Sequence, residues 1–412
     1  MSRPDPPAPQ RRLHVVFLNW RDTANPEGGG SERYVESVAG ALVEAGHRVT
    51  VLCAAHANAP ADEVRGGVVF RRRGSKLGVY PRAALALALR RTGPFDIVVD
   101  VQNGVPFLSR LVTRQPVVVL VHHVHREQWP VVYGRTVARL GWWVESVLAP
   151  RVYRHCQYVA VSQVTRSELV GIGVDPQRIA VVHNGNDARP PGALDARSPH
   201  PSMVVLGRLV PHKRVEHALA ALAALRPELA DLSLTVLGEG WWAGQLAAEA
   251  RRLGVQDAVR FTGFVDEAEK NRQLGSAWVL AMPSLKEGWG LAVTEAASHA
   301  VPAVAYRSAG GVAESVVHGE TGLLVEDGPE AFVAGVRALL VERGLRERLG
   351  TAARARAGRY SWTQTAESFA VVLHGAVLKA PPTCAVDPVG TGPEDDLGVE
   401  LVQVEPVSLD GR

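Results

Sequence analysis

Glu287 and Glu295 stand eight positions apart in SLKEGWGLAVTEAASHA, where an apolar run ends, a glycine-containing loop follows and a helical pattern begins. The spacing alone carries no weight, because the chain holds 26 glutamates and Glu36 and Glu44 make another such pair. The context carries it. Glu287 falls in the loop with Gly288 and Gly290, and Glu295 lies about a turn into the helix, so the two carboxylates bracket the unpaired amides of a helix start. One carboxylate can accept from a sugar hydroxyl and the other from a ribose, with the amides between them facing phosphate.

A second cluster, VLGRLVPHKRVEHALAAL, sets Arg208 and Lys213 five apart across a strand-to-helix turn. A guanidinium fork beside a point charge suits a diphosphate, and a solvated cation pair is the alternative. Lys213 gains weight from composition: of 45 basic residues only five are lysine, at 76, 213, 270, 286 and 379. A third candidate is the run Gly28, Gly29, Gly30, which opens a helix reaching about Ala45. It reads either as an anion site at a helix start or as a tight turn needing positive φ. The spaced GxGxxG dinucleotide fingerprint is absent, so a nicotinamide-dependent enzyme is not indicated. A fourth is the strand PVVVLVHHVHREQW, ending in His122 and His123 with His125 beyond. Adjacent residues of a strand point to opposite sides, so these histidines do not form a metal set, and no metal or other cofactor is expected.

Short apolar runs alternating with longer helical patterns must position these loops, and that alternation marks parallel sheets covered by helices on both faces. The fold class is α/β. Seven strands are expected in the first half, near residues 13–19, 48–54, 68–72, 96–100, 117–121, 158–161 and 179–182. Six follow in the second, near 203–206, 234–237, 259–262, 279–282, 303–306 and 322–325. The expected organisation is a disordered N-terminal tail (1–12), a first Rossmann-like domain (13–187), a Pro-rich linker (188–202), a second Rossmann-like domain (203–360), a further helix (361–379) and a disordered acidic tail (380–412). In two such domains facing each other, ligands bind at the carboxyl ends of the strands.

Composition bounds the rest. The chain has 412 residues, 46% of them hydrophobic and 21% charged, which suits two globular domains. The net charge of +3 combines a body of +9 over residues 1–379 (44 bases, 35 acids) with a tail holding seven acids and one base. A basic body fits an anionic ligand, but no dense basic run accompanies an aromatic-studded strand, so nucleic acid is excluded as a partner. Cys53, Cys156 and Cys384 form no CxxC pair and indicate a reduced, cytoplasmic protein. No apolar run approaches the roughly 18 residues of a membrane span. Residues 137–154 carry Trp142 and Trp143 among Val, Leu and Arg, which reads as core packing or as an interfacial helix giving peripheral membrane contact.

GRLVPHK, EGWGLAVTEA, SAGGVAE and HGETGLLV, in that order over about 120 residues, resemble the family 4 glycosyltransferases of the GT-B architecture. The resemblance covers roughly residues 13–378. It implies two doubly wound domains around a central cleft and transfer of a hexosyl unit from a nucleotide-sugar donor to a hydroxyl acceptor, with retention of anomeric configuration and without metal. It further implies that Arg208 and Lys213 bind the donor diphosphate, Glu287 the transferred sugar and Glu295 the ribose. Gly290 and Leu291 would complete the phosphate cradle. Val265, in the loop from Gly263, would contact the base, Gly29 and Gly30 would close on the donor, and His122 would stand beside its sugar. The helix 361–378 resembles the segment that crosses back to the first domain.

Glu32 and His125 are the acceptor-side candidates. Members of the family that act on inositol phosphate carry Asn where Glu32 stands, and a carboxylate there would repel a phosphorylated acceptor. A neutral or lipid-linked acceptor is therefore expected, with an inositol phosphate-type enzyme, a glycogen-type synthase, a nucleotide-sugar epimerase and a non-catalytic nucleotide-sugar-binding module as alternatives.

Overall fold

The computed structural model describes residues 11–187 and 196–381. Cys384, the acidic tail beyond 381, most of the N-terminal tail and the linker from 188 to 195 lie outside these residues. Valine-rich runs form the first sheet: β1 (His14–Leu18), β2 (Arg48–Cys53), β3 (Asp62–Arg65), β4 (Val68–Arg72), β5 (Ile97–Gln102), β6 (Val117–Val121), β7 (Gln157–Ala160) and β8 (Ile179–Val181). Their order is β3-β4-β2-β1-β5-β6-β7-β8, and every pairing is parallel except β3 with β4. Central strands such as β1, β5 and β6 are buried along their whole length, as expected for parallel strands covered on both faces.

The expected count of seven strands is corrected to eight. β3 is the charged tetrapeptide DEVR at a sheet edge, with every residue partly or fully exposed, so it carries no apolar signal. The second sheet contains β9 (Ser202–Leu206), β10 (Ser233–Leu237), β11 (Val259–Gly263), β12 (Val279–Met282), β13 (Ala303–Tyr306) and β14 (Gly322–Val325). All are parallel, in the order β11-β10-β9-β12-β13-β14. In each sheet the chain builds outward from its first strand and then crosses to the other side. The strand order therefore reverses between β1 and β5 and between β9 and β12, and the crevice at such a reversal is where ligands bind.

Residues 196–201 are not a free connection. Arg197 donates to the carbonyls of Gly275, Ala277 and Ala300 at 2.9 Å each, and the Trp278 indole donates to the Ser198 carbonyl at 2.9 Å, so the end of the proline-rich stretch is laid onto the second domain. The helix Trp362–Leu378 returns to the first domain. Its Ser361 cap accepts from Gln364 N–H, and Phe369, Val372 and Leu373 enter the core formed by Phe17, Tyr34 and Val35. Trp289, from the glycine loop of the second domain, is buried in that same core and meets Tyr360 with ring centroids 5.0 Å apart. The two domains thus share one apolar seam beside the cleft.

Candidate active site

The second domain supplies a crevice above the ends of β9 and β12, lined by Gly207, Arg208, Lys213, Met282 and Ser284 among others. Gly207 has φ +151°, a conformation that favours glycine, and it turns the chain from β9 into the Arg208 loop. Lys213 ends a short 3₁₀ turn, Pro211–Lys213, and its Nζ lies 2.5 Å from Glu287 Oε1. The expected diphosphate ligand and the expected sugar contact are therefore one ion pair, with each group orienting the other. Arg208 is partly buried. Burial, helped by the charge of Arg21, lowers its pKa to about 10, so it remains a cation at neutral pH.

Gly290 sits at φ +86° and starts the helix Leu291–Ser298, whose first amides have no intrahelical acceptor. Glu295 does not join Glu287. Its carboxylate is 2.5 Å from Lys270 on the helix Glu267–Ser276, and burial raises its pKa while Lys270 pulls the other way. Val265 is half-buried against the second domain's core, just past Gly263, whose carbonyl accepts from Gly238 N–H at 3.0 Å. That contact links the end of β11 to the loop after β10, and Leu209 N–H donates to Glu239 in the same loop, so Val265 is tied to the Arg208 turn.

The first domain approaches from the other side. None of Gly28, Gly29 and Gly30 has positive φ, which corrects the tight-turn reading. The need is closeness: a Cβ on Gly29 would stand 3.2 Å from Arg208 Nε, and one on Gly30 2.9 Å from Leu291 Cδ1. Glycine here lets the helix Gly30–Glu44 meet the crevice of the second domain. Glu32 is corrected as an acceptor contact, because it is wholly enclosed. Its Oε2 accepts from Gly29 N–H at 2.8 Å and its Oε1 from Arg21 Nε at 2.9 Å, so it caps the helix. Burial would raise its pKa, but Arg21 and Arg208 outweigh that and hold it below the ordinary carboxylate value.

His122 is buried, its ring edge-on to Tyr34 at 5.3 Å, and its Nε2 has no hydrogen-bond partner. Burial lowers its pKa to about 4, so it is neutral at pH 7. Its carbonyl accepts from Thr165 Oγ1, and a Cβ on Gly288 would come within 2.0 Å of that carbonyl, which brings the Glu287 loop against the strand end. His125 turns elsewhere. Both its N–H and Nδ1 meet Glu145 Oε1, at 3.2 and 2.9 Å, and Trp129 Nε1 donates to the other oxygen at 2.7 Å. Glu145 lies in a π-turn, Val144–Leu148, that interrupts the helical stretch after Trp143.

Two further contacts hold the walls together, and sequence reasoning found neither. Glu314 accepts from the N–H groups of Gln163 and Val164 at 2.9 and 2.7 Å, the first amides of the first-domain helix Gln163–Gly171. Lys286, buried beside Glu287, pairs with Glu168 on that same helix. Lysine rarity was the available signal, since Lys213, Lys270 and Lys286 all engage carboxylates around the cleft. Among the described residues no group of three or more His, Cys, Asp or Glu is arranged to hold a metal, and no helix is long and apolar enough to cross a membrane.

Known proteins resemble this chain in both domains. Residues 28–190 match the model of Glycosyltransferase Family 4, and residues 192–356 that of Glycosyl transferases group 1. An MMP alpha-(1->4)-mannosyltransferase of Mycolicibacterium hassiacum is 31% identical over 316 residues, 72% of this chain and 74% of that protein. The chain belongs to glycosyltransferase family 4. A D-inositol 3-phosphate glycosyltransferase of Kribbella flavida is 28% identical, over 88% of this chain and 96% of its own length. A glycogen synthase of Mycobacterium tuberculosis is 34% identical over 214 residues, and the match spans 51% of this chain and about half of that synthase, 51%. The fold of sucrose-phosphate synthase from Thermosynechococcus elongatus superposes with a TM-score of 0.76 at 17% identity, covering 90% of this chain and all of that one, 100%. This family 4 chain has the GT-B architecture.

Proposed function

We propose that this protein moves a hexosyl unit from a nucleotide-sugar to a hydroxyl acceptor with retention of anomeric configuration. The observation that carries this reading is the Lys213–Glu287 pair at 2.5 Å on the crevice wall. It combines a cation for the departing diphosphate with a carboxylate for the sugar hydroxyls. Arg208 and the start of the helix Leu291–Ser298 add positive potential where the leaving group's charge develops, so the protein itself supplies that stabilisation and no metal is required. In this reading Glu295 takes the ribose, and His122, with Nε2 unoccupied, stands beside the sugar.

The acceptor oxygen bonds to the anomeric carbon on the face from which the diphosphate oxygen departs, and its proton passes to that departing oxygen. Retention is supported by the state of the cleft carboxylates. Glu32, Glu287 and Glu295 are each held by a cation, so none stands free as the base that an inverting attack from the opposite face requires. The reaction belongs in the cytoplasm, and the two described cysteines, Cys53 and Cys156, are free and buried.

Screening UDP-, GDP- and ADP-sugars by thermal shift identifies the donor, since a ligand of the folded state raises Tm with its affinity. NMR of the product then reads the anomeric configuration. Inverted product overturns the mechanism, and conversion of the donor without any acceptor identifies an epimerase. A peripheral membrane contact is a second reading, favoured by Val137, Leu140 and Trp143, exposed beside Arg135 and Arg139 on one helix. Flotation with anionic vesicles tests it.

A further inference from the structure

Residues 286 and 287, in the loop after β12, are gripped from both domains. Glu287 N–H donates to the Ala309 carbonyl at 2.9 Å, and the Glu287 carbonyl accepts from Gly311 N–H at 3.0 Å, a parallel bridge that keeps this stretch strand-like. Adjacent side chains of such a stretch point to opposite sides. Glu287 turns to Lys213 of its own domain, and Lys286 turns to Glu168 on the first-domain helix Gln163–Gly171. The lysine stem passes Gly310, where φ is +72° and a Cβ would stand 3.2 Å from both Lys286 Cδ and Cε.

The Lys286 side chain is 8% exposed and that of Glu168 23%. The Val124 backbone amide, two residues past His122, also acts on the Glu168 carboxylate, so this one group touches both the end of β6 and the Glu287 loop. Such a pair adds little to the stability of the fold, because desolvating two charges and freezing a lysine side chain offset their attraction. Its halves belong to different domains, however, so it exists only while they are docked. When they part, water takes each charge separately and the Glu287 loop loses its anchor on the first domain. Lys213 is no substitute for that anchor. In the proposed transfer its ammonium meets the diphosphate, and its hold on Glu287 weakens as the donor enters.

We propose that Glu168 and Lys286 are a positioning pair, which seats Glu287 against the transferred sugar in the docked arrangement of the two domains. Neither touches the reacting atoms, and each acts through the backbone that Lys286 shares with Glu287. This rests on the glycosyl-transfer reading and deepens it: recognition of the sugar depends on a carboxylate of the first domain, whereas recognition of the nucleoside diphosphate does not.

The test uses the full chain and the nucleotide-sugar that stabilises it most, with Kd measured by calorimetry for that donor and for its nucleoside diphosphate. The readout is the ratio of the two, which a merely structural role would not move. Glu168→Gln and Lys286→Met each weaken the donor about tenfold, while the nucleoside diphosphate binds within about twofold of the parent because Arg208 and Lys213 are untouched. The variant carrying both substitutions loses no more than either alone, since the same interaction is removed each time. It also leaves no buried charge unpaired, so it decides the matter where a single variant fails to fold. A ratio unchanged in the double variant overturns the proposal, whether both affinities persist or both fall together. If no nucleotide-sugar binds the parent, the glycosyl-transfer reading fails and takes the pair's role with it; if the donor binds and the ratio stays fixed, only the pair's role is lost.

Discussion

The two walls of the cleft handle charge differently. On the second domain the functional groups are charged and matched within the domain, Lys213 with Glu287 and Lys270 with Glu295, each at 2.5 Å. At the end of β6 in the first domain the two histidines are enclosed and neutral. Burial drives His122 to about 4 and His123 well below the ordinary histidine value. The difference teaches what each wall contributes. In the proposed transfer, fixed charges facing a crevice stabilise a leaving group as it forms, while packed neutral rings shape the space around the sugar and exclude water.

The largest effect is therefore expected on the charged wall. In the proposed reaction Lys213→Ala removes the cation for the diphosphate and releases Glu287 at once, and losing one such preorganised group lowers kcat by about 10²–10³-fold. Steady-state kinetics with the donor found by thermal shift check this, with Tm measured beside them because the site is partly exposed and the fold should persist. Activity within threefold of the parent would place the leaving-group charge elsewhere and dissolve the contrast between the walls.

An intermediate effect belongs to the contacts joining the walls. Glu314→Gln keeps the size of the side chain but replaces a charge-assisted acceptor on the amides of Gln163 and Val164 with a weaker one. Closure then becomes less favourable, and kcat/KM should fall about tenfold, at roughly 1.4 kcal/mol. Small-angle scattering with bound nucleotide should report a more extended particle. Reduced activity with unchanged dimensions would mean that Glu314 acts on the donor directly.

The same contrast explains what was legible in the sequence. The second domain's wall is built from contiguous loops, each a strand end followed by glycines and a helix start, so GRLVPHK and EGWGLAVTEA are legible in local spacing. The first domain's wall is assembled by strand order. β4 lies next to β2, which lies next to β1, and this brings Lys76 to Trp20 and Arg21 across 55 positions that no local pattern links. Glu32 was misplaced although its pattern, three residues after the Gly29 cap, was that of a capping carboxylate. The edge strand β3 was missed because an edge needs charge rather than apolar residues.

The smallest effect concerns stability on the neutral wall, and its sign follows from the direction of the shift. His122 titrates near 4 in the folded chain and near 6.5 when unfolded, so between these values the unfolded state binds more protons. The stabilisation from keeping this ring neutral is fully present above about pH 6.5 and is lost as the pH falls toward 4, at up to about 1.4 kcal/mol per unit. His212, lowered to about 3 by burial and by Lys213, steepens the loss, as does His123. His122→Asn removes one of these three contributions. Its Tm should lie below that of the parent at pH 7.5, because the edge contact with Tyr34 is lost, yet decline less between pH 6.5 and 4.5. Parallel declines in the two proteins would mean that His122 takes up its proton without cost, and the first domain's wall would then be an ionisable surface like the one it faces.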